Sequence, residues 1–162
     1  MDLLRAISDI KRRIEESPKD ISEADTKATL IEPLLSALGW NTADVKEVKR
    51  EATTPDGKFA DYVLYLNGRK YLLVEAKAFG VNIDNKCRVQ YISYAQNMAI
   101  PIAVLTNGDY WESEHEEAST RTESSSEIMS RTVYTIQCDV GAENERYTDS
   151  ETVNIIPVFE ER

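Results

Sequence analysis

Residues 61–77 read DYVLYLNGRKYLLVEAK, and the fold turns on how this stretch is read. Asp61 opens a run of aromatic and branched apolar residues, Tyr62 to Leu66. Asn67-Gly68 follows, a pair that tolerates positive φ and marks a hairpin turn. The second run, Tyr71-Leu72-Leu73-Val74, is apolar throughout, as a strand covered on both faces requires. It ends at Glu75-Ala76-Lys77. Two carboxylates and a lysine therefore stand at the ends of two adjacent strands. Such a set can hold a divalent cation and an attacking water.

Strand periodicity puts Glu75 and Lys77 on one face and Ala76 on the other. Ala76 can then offer only its backbone carbonyl as a ligand. The hairpin register makes a sharper demand. A strict two-residue loop at Asn67-Gly68 pairs residues whose numbers sum to 135, which sets Asp61 against Val74 and turns Glu75 away. An even sum, 134 or 136, is needed to bring the carboxylates together. The spacing thus predicts a three-residue loop with Gly68 left-handed, or a bulge.

Outward from this hairpin, residues 2–16 predict an amphipathic helix with Leu3, Leu4, Ile7, Ile10 and Ile14 on its apolar side. Ser22-x-x-Asp25 is a capping signature for a second helix, 22–38, with stripe residues Leu30, Ile31, Leu34, Leu35 and Leu38 and a stop at Gly39. Pro33 inside it predicts a bend or a restart. A first strand is expected within 44–53, turned at Pro55-Asp56-Gly57 into the strand 59–66. Asp84 caps a helix over 85–99, with Val89, Ile92 and Met98 on its buried side. Gln90 and Tyr94 share one face of that helix at i, i+4. Ile100–Leu105 predicts a buried strand, Tyr110-Trp111 a short one and Val133–Val140 one at an edge. Residues 112–130, rich in Glu, Ser and Thr, read as a solvated loop, and Val153–Phe159 as a last apolar run. Trp40 and Trp111 read as core, and His115, in the acidic stretch, as remote from any site.

The fold class is therefore α/β, a mixed central sheet of about five strands flanked by helices. The 162 residues form one domain with an acidic C-terminal extension from about 112. No apolar run suits a signal peptide or a membrane span, so a cytoplasmic protein is expected. The two cysteines, in no paired motif, are expected as free thiols. No Gly-rich phosphate loop is present, so no ATP motor is recognisable.

The net charge of −10 argues against nucleic acid until it is divided along the chain. Residues 1–100 carry 15 Lys+Arg and 15 Asp+Glu, while residues 101–162 carry 4 and 14. The candidate site thus lies in the balanced part, near Lys46, Lys49, Arg50, Lys58, Arg69, Lys70, Lys86 and Arg88. Phosphate binding needs only a local positive surface.

Hydrolysis of a phosphodiester needs a hard cation at the phosphate, an activated water and a stabilised leaving oxygen. Mg²⁺ keeps several waters, so one or two protein carboxylates suffice. Asp61 and Glu75 are the candidate ligands, with the Ala76 carbonyl as a third donor. Lys77 is placed to orient the water and offset developing charge.

These residues, with SEADTKATLIEPLLSALGW before them and QYISYA and AVLTNG…Trp111 after, resemble the PD-(D/E)XK nuclease superfamily. The chain is most similar to the nuclease domain at the N-terminus of type I restriction enzyme R subunits. The resemblance runs from about Ser22 to Trp111. It implies a restriction-endonuclease-like core and an Mg²⁺-dependent endonuclease acting on DNA, with Mn²⁺ as a substitute. By residue, it implies metal at Asp61 and Glu75, catalysis by Lys77, and a supporting Gln90/Tyr94 pair. An acid on the first core helix, Glu23 or Glu32, completes such sites, and Glu23 is preferred because the family pattern has an acid near that helix start. Residue 60 is Ala where the superfamily name has Pro. The expected partners are DNA and either a motor or specificity protein or a second copy of the chain. Two alternatives stand beside this reading. One is a non-catalytic binding or assembly module of the same fold. The other is a protein whose acidic tail mimics DNA.

Overall fold

The computed structural model describes residues 3–18, 20–116 and 131–137. Its centre is a six-stranded sheet in the order β1-β2-β3-β4-β5-β6. The strands are β1 (Val48–Thr53), β2 (Phe59–Leu66), β3 (Arg69–Ala76), β4 (Ile102–Thr106), β5 (Tyr110–Glu116) and β6 (Arg131–Gln137). Neighbours run antiparallel except β3 and β4, which are parallel. A parallel pair needs a crossover, and α4 (Asn85–Met98) supplies it. The chain is thus α/β with a mixed sheet and flanking helices, as its sequence predicts, and β6 is the edge strand expected from Val133, which brings the described sheet to six strands.

Both faces of the sheet are covered, which explains the apolar β3. On one face α4 packs Tyr91, Tyr94, Ala95 and Met98 against Val63, Leu73, Ala103 and Leu105. The α4 stripe differs from expectation at Val89, which is 68% exposed. Tyrosines and an alanine provide the buried side instead. Asp84 caps the helix as expected, accepting from the Cys87 amide at 2.9 Å. On the other face Ile31, Leu35 and Trp40 pack against Tyr62, Leu64, Val74 and Trp111. Both tryptophans are core.

The second helix is built in three pieces: α2 (Glu23–Thr26), a π-helical turn (Lys27–Ile31) and α3 (Glu32–Ala37). Ser22 caps it, accepting from the Asp25 amide at 3.0 Å. The irregularity expected from Pro33 takes the form of the π turn just before it, where the Glu32 amide reaches back to the Lys27 carbonyl. Pro33 has no N–H for the carbonyl of Thr29, four residues back. Arg13, on α1 (Leu3–Glu16), donates to that oxygen at 2.9 Å. α1 buries Ala6, Ile10 and Ile14, while Leu4 is 75% exposed rather than part of the apolar side.

The β4–β5 turn presses on this helix. A Cβ at Gly108, whose φ is +91°, would lie 2.7 Å from Leu30 Cδ1. Only glycine fits both the angle and the approach. Thr26, fully buried beside it, accepts from the Phe79 amide at 2.9 Å and ties the helix to the loop after β3.

β5 corrects the reading of 112–130 as solvated loop. Residues 112–116 continue the strand, and Glu112 and Glu114 are buried in it. Glu112 survives burial because Arg88 donates to both its oxygens at 2.9–3.0 Å and the Tyr110 hydroxyl donates at 2.8 Å. Residues 117–130, the end of the expected edge strand at 138–140, and the apolar run 153–159 lie outside the described residues.

Candidate active site

The two carboxylates meet because of one extra residue. Leu66 pairs with Arg69 and Tyr65 with Lys70, so Asn67-Gly68 is a strict two-residue turn. Both turn residues have positive φ, +52° and +75°. The three-residue loop considered from the sequence is therefore absent. Leu64 then pairs with Leu72, Val63 with Leu73 and Tyr62 with Val74. Tyr71 is the bulged residue, and the pairing sum moves from 135 to 136. One step further along this register, Asp61 stands against Glu75. Trp40, at the end of the second helix, lies beside the bulged Tyr71, with ring centroids 6.4 Å apart.

The ladder opens at this point. The Asp61 carboxylate enters the gap and accepts the Ala76 amide on Oδ2 at 2.8 Å. Its other oxygen, Oδ1, accepts from the ammonium of Lys27. Lys27 also donates to Glu23 Oε1 at 3.0 Å. Asp61 is thus held by a strand amide and by a helix lysine at once.

Glu75 leaves the core at the end of β3, beside Leu105 of the parallel strand. Ends of parallel strands are where α/β sheets place ligands. The Glu75 side chain is only 4% exposed. Its Oε1 accepts from Lys77 Nζ at 2.8 Å and from Gln90 Nε2 at 3.0 Å. Gln90 also donates to the Tyr94 hydroxyl at 2.9 Å. Glu75 Oε2 is buried and no hydrogen bond of normal geometry reaches it. Burial, then the nearby charge of Asp61, push the Glu75 carboxyl up to about 7 against the pull of Lys77. Lys77 is raised: burial opposes its charge, but the bond to Glu75 and the charges of Glu75, Asp61 and Glu23 outweigh it.

Asp61, Glu75, Lys77, Gln90 and Tyr94 therefore form one connected cluster, and Glu23 joins it through Lys27. Glu32 does not. Its carboxylate takes Arg50 in a two-pronged pair at 2.9 and 2.8 Å and the Tyr62 hydroxyl at 3.1 Å. Arg50 holds the Glu32 carboxyl below its usual range, and burial opposes this. His115 pairs across from Ile102, at the far end of β4 from Leu105.

The basic groups near the hairpin divide in two. Arg50, Lys58 and Arg88 are committed to Glu32, Asp56 and Glu112. Lys46, Lys49, Arg69, Lys70 and Lys86 are exposed and make no ion pair among the described residues.

Lys27 escapes the sequence reading. The available signal is its position four residues after Glu23 on one helix face, but nothing local shows that it reaches Asp61, 34 residues on.

The cluster suits a hard cation. Its donors are oxygens, two carboxylates repel each other, and one buried carboxylate oxygen has no partner. Among the described residues no group of three or more His, Cys, Asp or Glu forms a cage for a metal ion. Mg²⁺ keeps much of its water, and one or two protein carboxylates are enough to hold it. Among those residues, too, no helix is long and apolar enough to cross a membrane.

A family model described as type I restriction enzyme R protein N terminus matches residues 22–128. That span runs from the cap of the second helix through every residue of the cluster. No curated protein and no solved structure gives a significant match.

Proposed function

Because the chain belongs to the family of type I restriction enzyme R protein N-termini, we propose that it is a restriction-type nuclease of the PD-(D/E)XK kind. It hydrolyses DNA phosphodiesters with Mg²⁺, or Mn²⁺ in its place. The observation that carries this reading is the unpartnered, buried Glu75 Oε2 beside Asp61 at the end of the central strand. Asp61 and Glu75 would hold the cation, with the Ala76 carbonyl as a further oxygen donor. Bound there, the cation supplies charge neutralisation at the phosphate and an acidified water.

The protein's own groups do the rest. Lys77 fixes Glu75 Oε1 and leaves Oε2 free. Its ammonium places positive charge where negative charge builds during attack. Gln90 holds the same oxygen from the helix side and orients the Tyr94 hydroxyl. Lys86, one turn before Gln90 on α4, offers a phosphate contact for the DNA backbone, whereas Arg69 and Lys70 open β3 at the end away from Glu75. The acidic extension expected from about residue 112 includes most of β5 and all of β6, and its remainder has no part in this scheme.

A second reading keeps the fold and drops the chemistry. The matched family is the terminal segment of a larger protein. The chain would then serve as a module joining a motor or specificity partner, with the ion pairs of the cluster as structure. Nicking of supercoiled plasmid separates the two. The nuclease reading expects cleavage that requires Mg²⁺ or Mn²⁺ and falls at least about 100-fold in Glu75→Ala and in Lys77→Ala, the scale of losing one preorganised charge. Cleavage unchanged in both variants rejects the site, and no cleavage with any divalent metal favours the module. The DNA-mimic reading concerns the tail alone. It is tested by truncation after Gln137, which keeps all six described strands, and unaltered partner binding counts against it.

A further inference from the structure

Two lysines attend the two carboxylates, and they come from different places. Lys77 follows its partner Glu75 by two residues at the end of β3. Lys27 comes from the helix, at the first position of the π turn, and crosses to Asp61 Oδ1. With the Ala76 amide on Oδ2, both Asp61 oxygens are engaged. A cation that takes Asp61 through Oδ1 must first move the Lys27 ammonium.

We propose that Lys27 is a tethered counter-ion for the carboxylate pair: its ammonium holds Asp61 until a divalent cation displaces it, and so sets the metal affinity of the site. The inference rests on the reading of Asp61 and Glu75 as metal ligands. Three observations support it. The ammonium has a second seat, Glu23 Oε1 at 3.0 Å, on a side chain that is 44% exposed. It can therefore leave Asp61 without losing a carboxylate partner. Its four-carbon stem lets the charge swing while the backbone stays fixed. The backbone itself is anchored, because the preceding Thr26 is fully buried and bonded to both the Ser22 carbonyl and the Phe79 amide.

Without such a counter-ion, Asp61 would keep only the Ala76 amide, and the one ammonium bonded to the carboxylate pair would be that of Lys77, on Glu75. With it, the pair is partly neutralised by the chain, and metal binding becomes an exchange of one cation for another. An exchange is weaker than binding to a vacant carboxylate pair, since the departing ammonium takes its attraction with it. Lys27 is in this sense a positioning residue that holds Asp61 and moderates what binds there.

The test uses the full chain and Mn²⁺ alone, titrated by calorimetry. Lys27→Met removes the charge and keeps much of the stem. It is expected to tighten Mn²⁺ binding by about tenfold, equivalent to about 1.4 kcal/mol. Lys27→Arg keeps the charge and is expected to stay within about threefold of the parent. A readout on the parent protein itself does not depend on any variant folding. The Lys27 ammonium signal in a ¹⁵N-lysine NMR spectrum, identified by its absence from Lys27→Arg, should shift on saturation with Mg²⁺. An unchanged or weaker Mn²⁺ affinity in Lys27→Met, or a Lys27 signal that ignores saturating Mg²⁺, overturns the proposal and leaves the metal site standing. Failure of the parent to bind Mn²⁺, or binding that survives Asp61→Asn combined with Glu75→Gln, overturns the metal site and this proposal with it.

Discussion

Replacing Glu75 by Gln should stabilise the protein at alkaline pH in the presence of a chelator, although Glu75 sits at the centre of the proposed site. The carboxyl is buried, and burial together with Asp61 raises it from the ordinary 4.5 to about 7. A shift of that size corresponds to about 3 kcal/mol between the two protonation states. The folded chain keeps a proton on Glu75 between about pH 4.5 and pH 7 that the unfolded chain has lost. The favourable contribution of the protonated carboxyl is complete below pH 4.5 and is lost as pH rises through 7. Gln does not titrate, so its variant escapes that loss. The stability of Glu75→Gln minus that of the parent should therefore rise by about 3 kcal/mol between about pH 4 and pH 8.5. For a chain of this size that is on the order of 5–10 °C in Tm. Urea or thermal unfolding in EDTA, followed by circular dichroism across that pH range, measures it. Saturating Mg²⁺ should close most of the gap by stabilising the parent alone. A difference that does not change with pH would refute the argument that burial and Asp61 strain the ionised Glu75.

Other consequences can be measured on the same footing. Gly108→Ala puts a methyl group 2.7 Å from Leu30 Cδ1 at a φ of +91°. It should cost about 2–3 kcal/mol in urea unfolding, from overpacking and backbone strain together. Arg88→Met removes the cation from Glu112, whose side chain is 2% exposed, leaves it to neighbouring hydroxyls such as that of Tyr110, and should cost about 3 kcal/mol. A cost under about 0.5 kcal/mol would mean that Glu112 finds other partners. Glu32→Gln should lower stability by about 1 kcal/mol through its two-pronged pair with Arg50. It should leave plasmid nicking within about twofold, because a surface ion pair outside the cluster contributes little to the chemistry. A loss of nicking on the scale of Glu75→Ala would place Glu32 in the site after all.

Much of this architecture is legible in residue order because local and tertiary preferences agree. The wholly apolar run before Glu75 demands a central strand, and a central strand is what β3 is. Ser22, Asp84 and Asn67-Gly68 announce their caps and turn by chemistry that no tertiary contact has to supply. The register is legible only as a condition. The need for an even pairing sum follows from the carboxylates, but no local rule reveals that the bulge falls at Tyr71, beside Trp40. The errors share one cause. Val89 looks buried by type, but tyrosines take the inner side of α4. Glu112 and Glu114 look solvated by type, but Arg88 makes burial of Glu112 tolerable. Lys27 looks like an ordinary helix lysine, and only the closure of a 34-residue gap brings it to Asp61. Residue type reports the average environment. A buried ion pair departs from that average, and its partner is distant in sequence.

The central claim, that Asp61 and Glu75 are joined by a divalent cation, is tested most directly by crystals grown with Mn²⁺ and measured at its absorption edge. The account predicts an anomalous peak within about 2.5 Å of a carboxylate oxygen of each residue, near the bond lengths of hard cations, with Glu75 Oε2 among the ligands. Saturating Mn²⁺ with no peak between them, and Lys27 still on Asp61, would contradict it.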